Sequence, residues 1–219
     1  MVLQSANYQH KSNQTMKVYV IGDSISIQYG PYLEQHLNGI MAYSRKEGHE
    51  EASLNLDQPM GANGGDSSMV LSFLKSKAQM GGVQADLILL NCGLHDIKID
   101  LKTGIKQILI DQYQENLREI IRVIDEMKCK LVWVRTTPCD EKVHNHHEMT
   151  FHRFAADCEA YNKVADRIMT EAKVPSIDLH NYTIKLDPEP FCDHIHFKNE
   201  IREKQAAFIA GWLACWKNR

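Results

Sequence analysis

The chain has 219 residues, of which 43% are hydrophobic and 24% charged, and its formal net charge is −3. This size and balance predict a single compact domain, residues 17–219, preceded by a polar, flexible N-terminal tail, residues 1–16. Because acidic and basic residues are interspersed, the sequence argues against a nucleic-acid-binding face and against a polybasic lipid-binding tail.

The N-terminal segment lacks the apolar core of a secretory signal, which spans about 7 to 15 residues. No apolar run approaches the roughly 20 residues that cross a bilayer. We therefore expect a cytoplasmic protein without membrane insertion, and the oligomeric state stays open.

Short apolar runs alternate with helical patterns along the chain. Residues 17–21 read KVYVI, a β-branched and aromatic run that ends at a glycine and is typical of a buried parallel strand. Residues 86–91 and 130–135 have the same character, and residues 174–179 are a weaker fourth strand. Amphipathic spacing predicts helices over 111–127, 151–172 and 200–216. The alternation predicts an α/β fold with a parallel sheet covered on both faces.

Polar residues follow these strands at the points where each one ends. Gly-Asp-Ser (22–24) follows the first strand, Gly-Leu-His-Asp (93–96) follows the second, and Thr-Thr-Pro (136–138) follows the third. Ligands of open parallel sheets bind beyond the carboxyl ends of the strands. We therefore expect the chemistry of the protein to lie among these residues.

Ser24, Asp193 and His196 are the candidates for a nucleophile, an orienting acid and a base. A serine hydroxyl becomes a good nucleophile when an imidazole takes its proton, and a carboxylate holds that imidazole in the required tautomer. The three-residue spacing from Asp193 to His196 allows one turn to supply both partners. The Gly-x-Ser-x-Gly elbow of the α/β-hydrolases is absent from the sequence.

Four segments together resemble the sequence blocks of the SGNH, or GDSL, hydrolases. They are residues 22–24, 63–68, 93–96 and 193–196, in the order and spread of that family, and the resemblance covers residues 17 to about 215. It implies a flavodoxin-like three-layer α/β/α sandwich with a central parallel sheet. It also implies hydrolysis through an acyl-enzyme without metal or cofactor. The implied oxyanion hole consists of the Ser24 amide, the Gly65 amide and a side chain of the third block.

The Gly-Asp-Ser tripeptide occurs twice, at 22–24 and at 65–67. Only the first copy directly follows a strand, whereas Ser67 begins an amphipathic stretch and is expected to cap that helix. Position therefore favours Ser24 as the nucleophile. Asp23 is expected to anchor the turn through backbone hydrogen bonds and is not assigned a catalytic role.

His95 occupies the position where the family places an asparagine that donates to the oxyanion. A neutral imidazole has one N–H and can replace that donor, with its tautomer set by Asp96 or by a backbone group. The alternatives are that His95 is only a pocket wall or that the site is impaired.

Other reactive side chains are interpreted as structural. The six cysteines form no Cys-x-x-Cys pair and are expected to be reduced core thiols. His144, His146, His147 and His152 lack the spacing of a zinc site and are expected on a solvated loop. The insertion 97–110 is rich in isoleucine and leucine, and it either lines an acyl groove or covers the core as a lid helix.

The predicted function is that of a serine esterase acting on a small-molecule carboxylic ester, with an O-acetyl ester of a carbohydrate as one candidate substrate. One alternative is a thioesterase or lysophospholipase with a longer acyl groove. The other is a non-catalytic ligand-binding domain with a decayed oxyanion hole. Comparing short and long acyl esters separates the first two.

Overall fold

The computed structural model describes residues 15–147 and 150–218. Most of the predicted tail, residues 1–14, lies outside the described residues. Within the described part, none of the helices combines the length and apolar character that a bilayer crossing requires.

Five parallel strands form the central sheet in the order β2-β1-β3-β5-β7, and β4 pairs with β6 in a separate antiparallel ribbon. In chain order the strands are β1 Lys17–Ile21, β2 Ala42–Arg45, β3 Leu87–Leu90, β4 Ile99–Asp100, β5 Lys130–Val134, β6 Phe151–His152 and β7 Ser176–Ile177.

Helices cover both faces of the sheet. They are α1 Ser24–Leu37, α2 His49–Leu54, α3 Ser67–Gln79, α4 Ile110–Glu126, α5 Glu141–His147, α6 Ala155–Glu171, α7 Leu179–Ile184 and α8 Asn199–Lys217. Helix α1 packs against α8, while α3 packs against α4 and α4 against α6. The predicted α/β sandwich with a central parallel sheet is confirmed.

The core lies between the sheet and these two helical layers. All four residues of β3 are fully buried, as are Val132 and Trp133 of β5. Burying a Leu or Ile side chain contributes about 1.5 to 3 kcal/mol, so the central strands anchor the fold. Their continuous apolar sequence matches a strand that is covered on both faces.

The strand register brings the proposed blocks to one edge. Ile21 pairs with Leu90, and Leu90 pairs with Trp133, so β1, β3 and β5 end at the same level. Residues 22–24, 93–96 and 136–138 therefore emerge side by side at the carboxyl edge of the sheet. An isolated parallel bridge between Gly22 and Asn63 brings the second block alongside them.

Two predicted elements are shorter in the structure than the sequence indicates. The predicted strand 174–179 is reduced to the two residues of β7. The predicted helix 151–172 begins only at Ala155, because the two residues of β6 pair with β4 instead.

The insertion 97–110 does not form the lid helix that was one of the two structures expected for it. Its residues Ile99–Asp100 form β4, and α4 starts only at Ile110. The lid-helix interpretation is therefore wrong.

Candidate active site

Ser24 is the first residue of α1 and lies just beyond β1. The Asp23 side chain caps this helix by accepting the Ile25 amide at 3.0 Å, which confirms its expected anchoring role. A Cβ at Gly22 would lie 2.8 Å from the Ser26 Cβ, so the turn before Ser24 requires glycine. Only 6% of Ser24 is exposed.

His196 connects Ser24 to Asp193. The His196 Nε2 lies 3.0 Å from the Ser24 Oγ, and the His196 Nδ1 lies 2.8 Å from the Asp193 Oδ2. A carboxylate accepts only, so Nδ1 carries a proton and Nε2 presents a lone pair to the serine hydroxyl in the neutral imidazole. The three predicted residues therefore meet in the order serine, histidine, aspartate, which is the order that a serine nucleophile with a histidine base requires.

The loop that carries both partners is held by Asp193 itself. The Asp193 Oδ1 accepts the amides of Ile195 at 2.8 Å and His196 at 2.7 Å. Burial raises the pKa of Asp193, but the hydrogen bonds from the His196 side chain and from these two amides outweigh it and hold the pKa well below its usual value. Asp193 is therefore a stable anion opposite the imidazole.

Gly65 lies in a sharp turn of the second block, with φ at +71°. A Cβ there would lie 2.5 Å from the Met69 Sδ and 3.0 Å from the Pro59 Cβ, so only glycine fits without displacement. The Gly65 amide donates to the Asn63 Oδ1 at 3.0 Å. To serve an oxyanion, this N–H must share or exchange that hydrogen bond.

His95 is 5% exposed in the loop after β3. Burial, together with the charges of Lys98 and Arg153, holds the pKa of His95 well below its usual value, so the ring is neutral and has one N–H. Among the described residues, none forms a hydrogen bond with its ring nitrogens. A single N–H without a protein acceptor is the form that an oxyanion donor needs.

No protein-family model matches the chain, and no curated protein matches it by sequence. Solved structures do match. The lipase/acylhydrolase from Enterococcus faecalis superposes with a TM-score of 0.69 at 17% identity, over 92% of this chain and 97% of that one. The chain has the fold of the GDSL-like acylhydrolases. Est24, a carbohydrate acetylesterase from Sinorhizobium meliloti, gives 0.61 at 15% identity, over 92% of this chain and all of that one. The M. smegmatis aryl esterase gives 0.61 at 15% identity, over 92% and 99%.

Within this acylhydrolase fold, Asp96 does not contact His95 by a hydrogen bond, contrary to one expectation. The Asp96 Oδ1 instead accepts the Ser67 amide at 2.9 Å and so ties the third block to the second. The helix after the second block is capped by Asp66, which accepts the Met69 amide at 3.0 Å. The expectation that Ser67 is the cap is therefore wrong.

Thr136 and Asn91 support the third block from below, and sequence reasoning did not assign them a role. The Thr136 Oγ1 donates to the Cys92 carbonyl at 3.1 Å, and the Asn91 side chain donates to the Val134 carbonyl at 2.8 Å. Gly93 passes so close to Thr136 that a Cβ would lie 2.4 Å from its Oγ1. The sequence signal for such a role was that Asn91 and Thr136 lie at the carboxyl ends of two apolar strands.

The four histidines of the insertion after β5 differ in their surroundings. His144 is fully buried and its Nδ1 lies 2.7 Å from the Nδ1 of His194, so the solvated-loop interpretation is wrong for this residue. His146 is exposed, His152 is half-buried, and the His147 side chain lies outside the described residues.

The cysteine expectation holds only in part. Four of the six are buried, but Cys192 and Cys215 are exposed and are not core thiols. Burial raises the pKa of the Cys92 thiol well above its usual value. Although Cys92 follows β3 near the site, its thiol is therefore not activated.

A cleft of about 520 Å³ lies near the second and third blocks, and none of the described residues that line it belongs to the four blocks. Its residue Gln107 donates to the Asp66 Oδ2 at 3.3 Å, and the Lys98 amide donates to the His95 carbonyl at 3.4 Å. Apart from Ile105 and Phe151 the lining is polar: Gln58, Lys98, Asp100, Thr103, Lys106, Gln107 and Thr150.

A larger hollow of about 1010 Å³ lies by α4, α6 and the start of β5, and none of the described residues lining it is a serine or histidine. Across residues 15–147 and 150–218, no group of three His, Cys, Asp or Glu side chains is arranged to hold a metal ion.

Proposed function

We propose that the protein is a serine hydrolase that cleaves carboxylic esters through an acyl-enzyme on Ser24. The observation that carries this proposal is the continuous Ser24–His196–Asp193 chain, with hydrogen-bond distances of 3.0 and 2.8 Å. These distances fall within the range for proton transfer between a nucleophile and its base.

In the proposed first half-reaction, His196 takes the Ser24 proton at Nε2 while the Ser24 Oγ attacks the ester carbonyl carbon. Asp193 stabilises the imidazolium that forms and keeps Nδ1 as its partner. His196 then gives the proton to the leaving alcohol, and the acyl group stays on Ser24. Water repeats the sequence and releases the acid.

The developing oxyanion is assigned to three donors, the amides of Ser24 and Gly65 and the N–H of His95. The Ser24 amide lies at the N-terminus of α1, where free N–H groups and the helix dipole favour negative charge. His95 is neutral for the reasons given above, so it donates without adding a full charge. Each such donor contributes about a hundredfold to a thousandfold in rate.

A small acyl group with a polar alcohol is proposed because the cleft near the second and third blocks is mostly polar, although none of the candidate site residues lines it. Seven of its nine lining residues are polar. Of the exposed apolar residues of the 97–110 insertion, Ile105 lines this cleft, whereas Leu101 and Leu109 do not. An O-acetyl ester of a carbohydrate is consistent with such a lining, and the acetylesterase Est24 shares the fold.

The experiment is a panel of p-nitrophenyl esters of increasing acyl length together with acetylated saccharides, with Ser24→Ala as the blank. We expect turnover of acetyl and other short esters and none by the blank. Preference for long acyl chains would favour the thioesterase or lysophospholipase alternative. Equal rates for the wild type and the blank would refute the proposal.

A further inference from the structure

The insertion between β5 and α6 contacts two loops of the candidate site at once. Helix α5 places His144 against His194, which lies between Asp193 and His196 on the loop of the base. After β6, Arg153 reaches the loop of the third block, where its Nε donates to the Leu94 carbonyl at 2.6 Å. Leu94 immediately precedes His95.

These two contacts are joined into one path. The Arg153 Nη1 lies 3.5 Å from the His144 Nδ1, which in turn lies 2.7 Å from the His194 Nδ1. Of the two facing Nδ1 atoms of His144 and His194, one carries the proton and the other accepts it.

The residues of this path are mostly buried. His144 is fully buried, Arg153 is 4% exposed, and the His194 side chain is 17% exposed. Phe151 packs against both His144 and Arg153. Its ring centroid lies 5.4 Å from that of the His144 ring and 4.9 Å from the Arg153 guanidinium carbon. Hydrogen bonds in such low-dielectric surroundings are strong and costly to break.

We propose that His144 and Arg153 are positioning residues that hold the loop of His196 at a set position relative to the loop of His95. This assignment rests on the proposed esterase function. It follows from the hydrogen-bonded path from His194 through His144 and Arg153 to the Leu94 carbonyl. The path, which we call the insertion brace, spans from the loop of the general base to the loop of the third oxyanion donor.

The brace stabilises the transition state. When the serine attacks, the base and the oxyanion donor must both be correctly placed relative to each other, and the brace fixes that relative position. A displacement of about 1 Å between such groups costs on the order of a hundredfold in rate. Neither His144 nor Arg153 itself lines the polar cleft. Removing the brace is therefore expected to lower kcat and to leave KM unchanged.

The test compares His144→Leu, which removes the hydrogen-bonding Nδ1, with His144→Asn, whose side-chain amide places a hydrogen-bonding atom near the same position. His146→Leu, at an exposed position of the same helix, is the matched control. Turnover of p-nitrophenyl acetate is expressed per site titrated with a fluorophosphonate, so that unfolded protein is not counted. We expect His144→Leu to lose about tenfold to a hundredfold in kcat with KM within about twofold. His144→Asn recovers most of the loss, and His146→Leu is unchanged.

A wild-type kcat in folded His144→Leu would overturn the brace, as would equal losses in the Leu and Asn variants. A second measurement does not require activity or a stable variant. In ¹⁵N-labelled wild-type protein, the Nδ1 atoms of His144 and His194 should show coupling across the hydrogen bond that joins them. Its absence contradicts the brace. Its presence in a protein that hydrolyses no ester leaves the brace in place and refutes the proposed function instead.

Discussion

The free energy of unfolding of the wild type should fall as pH rises because of Asp96. Replacing Asp96 by asparagine should abolish this fall. Asp96 is completely buried, and burial raises its pKa from the usual 3.8 to about 7 despite hydrogen bonds from Ser67. Its Oδ2 has no hydrogen-bond partner among the described residues. The folded state therefore keeps a proton on Asp96 that the unfolded state has already lost.

The sign of the effect follows from this difference in bound protons. Between pH 3.8 and about 7 the native state binds more protons at Asp96 than the unfolded state, so the free energy of unfolding falls as pH rises through that window. From about pH 5 to about pH 8 the loss from this one group is about 3 kcal/mol. Asparagine keeps an Oδ1 acceptor for the Ser67 amide and does not ionise.

The assay is urea unfolding of the wild type and Asp96→Asn at about pH 5 and about pH 8. The other titrating groups are the same in the two proteins. Their contributions therefore cancel in the difference between the two free energies of unfolding. We expect the stability of the variant relative to the wild type to rise by about 3 kcal/mol between the two pH values. A difference that does not change with pH would refute the inference that Asp96 is protonated in the native protein.

Three further predictions concern the site and its turn. Asp193→Asn should lower kcat about ten-thousandfold with the fold intact. The asparagine oxygen stays with the Ile195 and His196 amides, so its NH2 group faces the imidazole Nδ1 in place of an acceptor. Steady-state kinetics with circular dichroism checks this, and a loss below about tenfold contradicts it. His95→Ala should lower kcat about a hundredfold to a thousandfold, whereas His95→Asn keeps a donor and stays within about tenfold of the wild type; equal turnover of His95→Ala and the wild type would show that the ring is only a pocket wall. Gly22→Ala should cost about 1 to 3 kcal/mol in urea unfolding because its Cβ meets Ser26. The control Gly211→Ala, where nothing lies within 4 Å, should instead gain about 0.5 to 1 kcal/mol, and matching effects of the two substitutions would contradict the steric argument.

The central strands and the position of Ser24 at the end of one of them were predictable because their signals are local. The run KVYVI forms β1 over the predicted residues, and the helix that begins at Ser24 follows directly. Parallel pairing then places the ends of β1 and β3 at one level, so the polar residues beyond them had to meet. Pairing Ser24 with the distant His196 required the family pattern as well.

Other features had no local signal. The edge strand β2 reads AYSR, and only half of its residues are even partly buried, so it lacks the apolar run that identifies β1 and β3. Its place is set by pairing with β1. The burial of His144 likewise depends on α5 folding back onto His194, 50 positions along the chain. Tertiary contacts of this kind leave no periodic pattern in the sequence.

Covalent labelling with a fluorophosphonate, followed by peptide mapping, tests the central claim most directly. The account predicts one adduct per chain, located on Ser24, absent in Ser24→Ala and formed far more slowly in His196→Ala. Ser67, in the second Gly-Asp-Ser copy, is fully buried and should stay unlabelled. An adduct on Ser67, or no adduct on a folded protein, would contradict the assignment of Ser24 as the nucleophile.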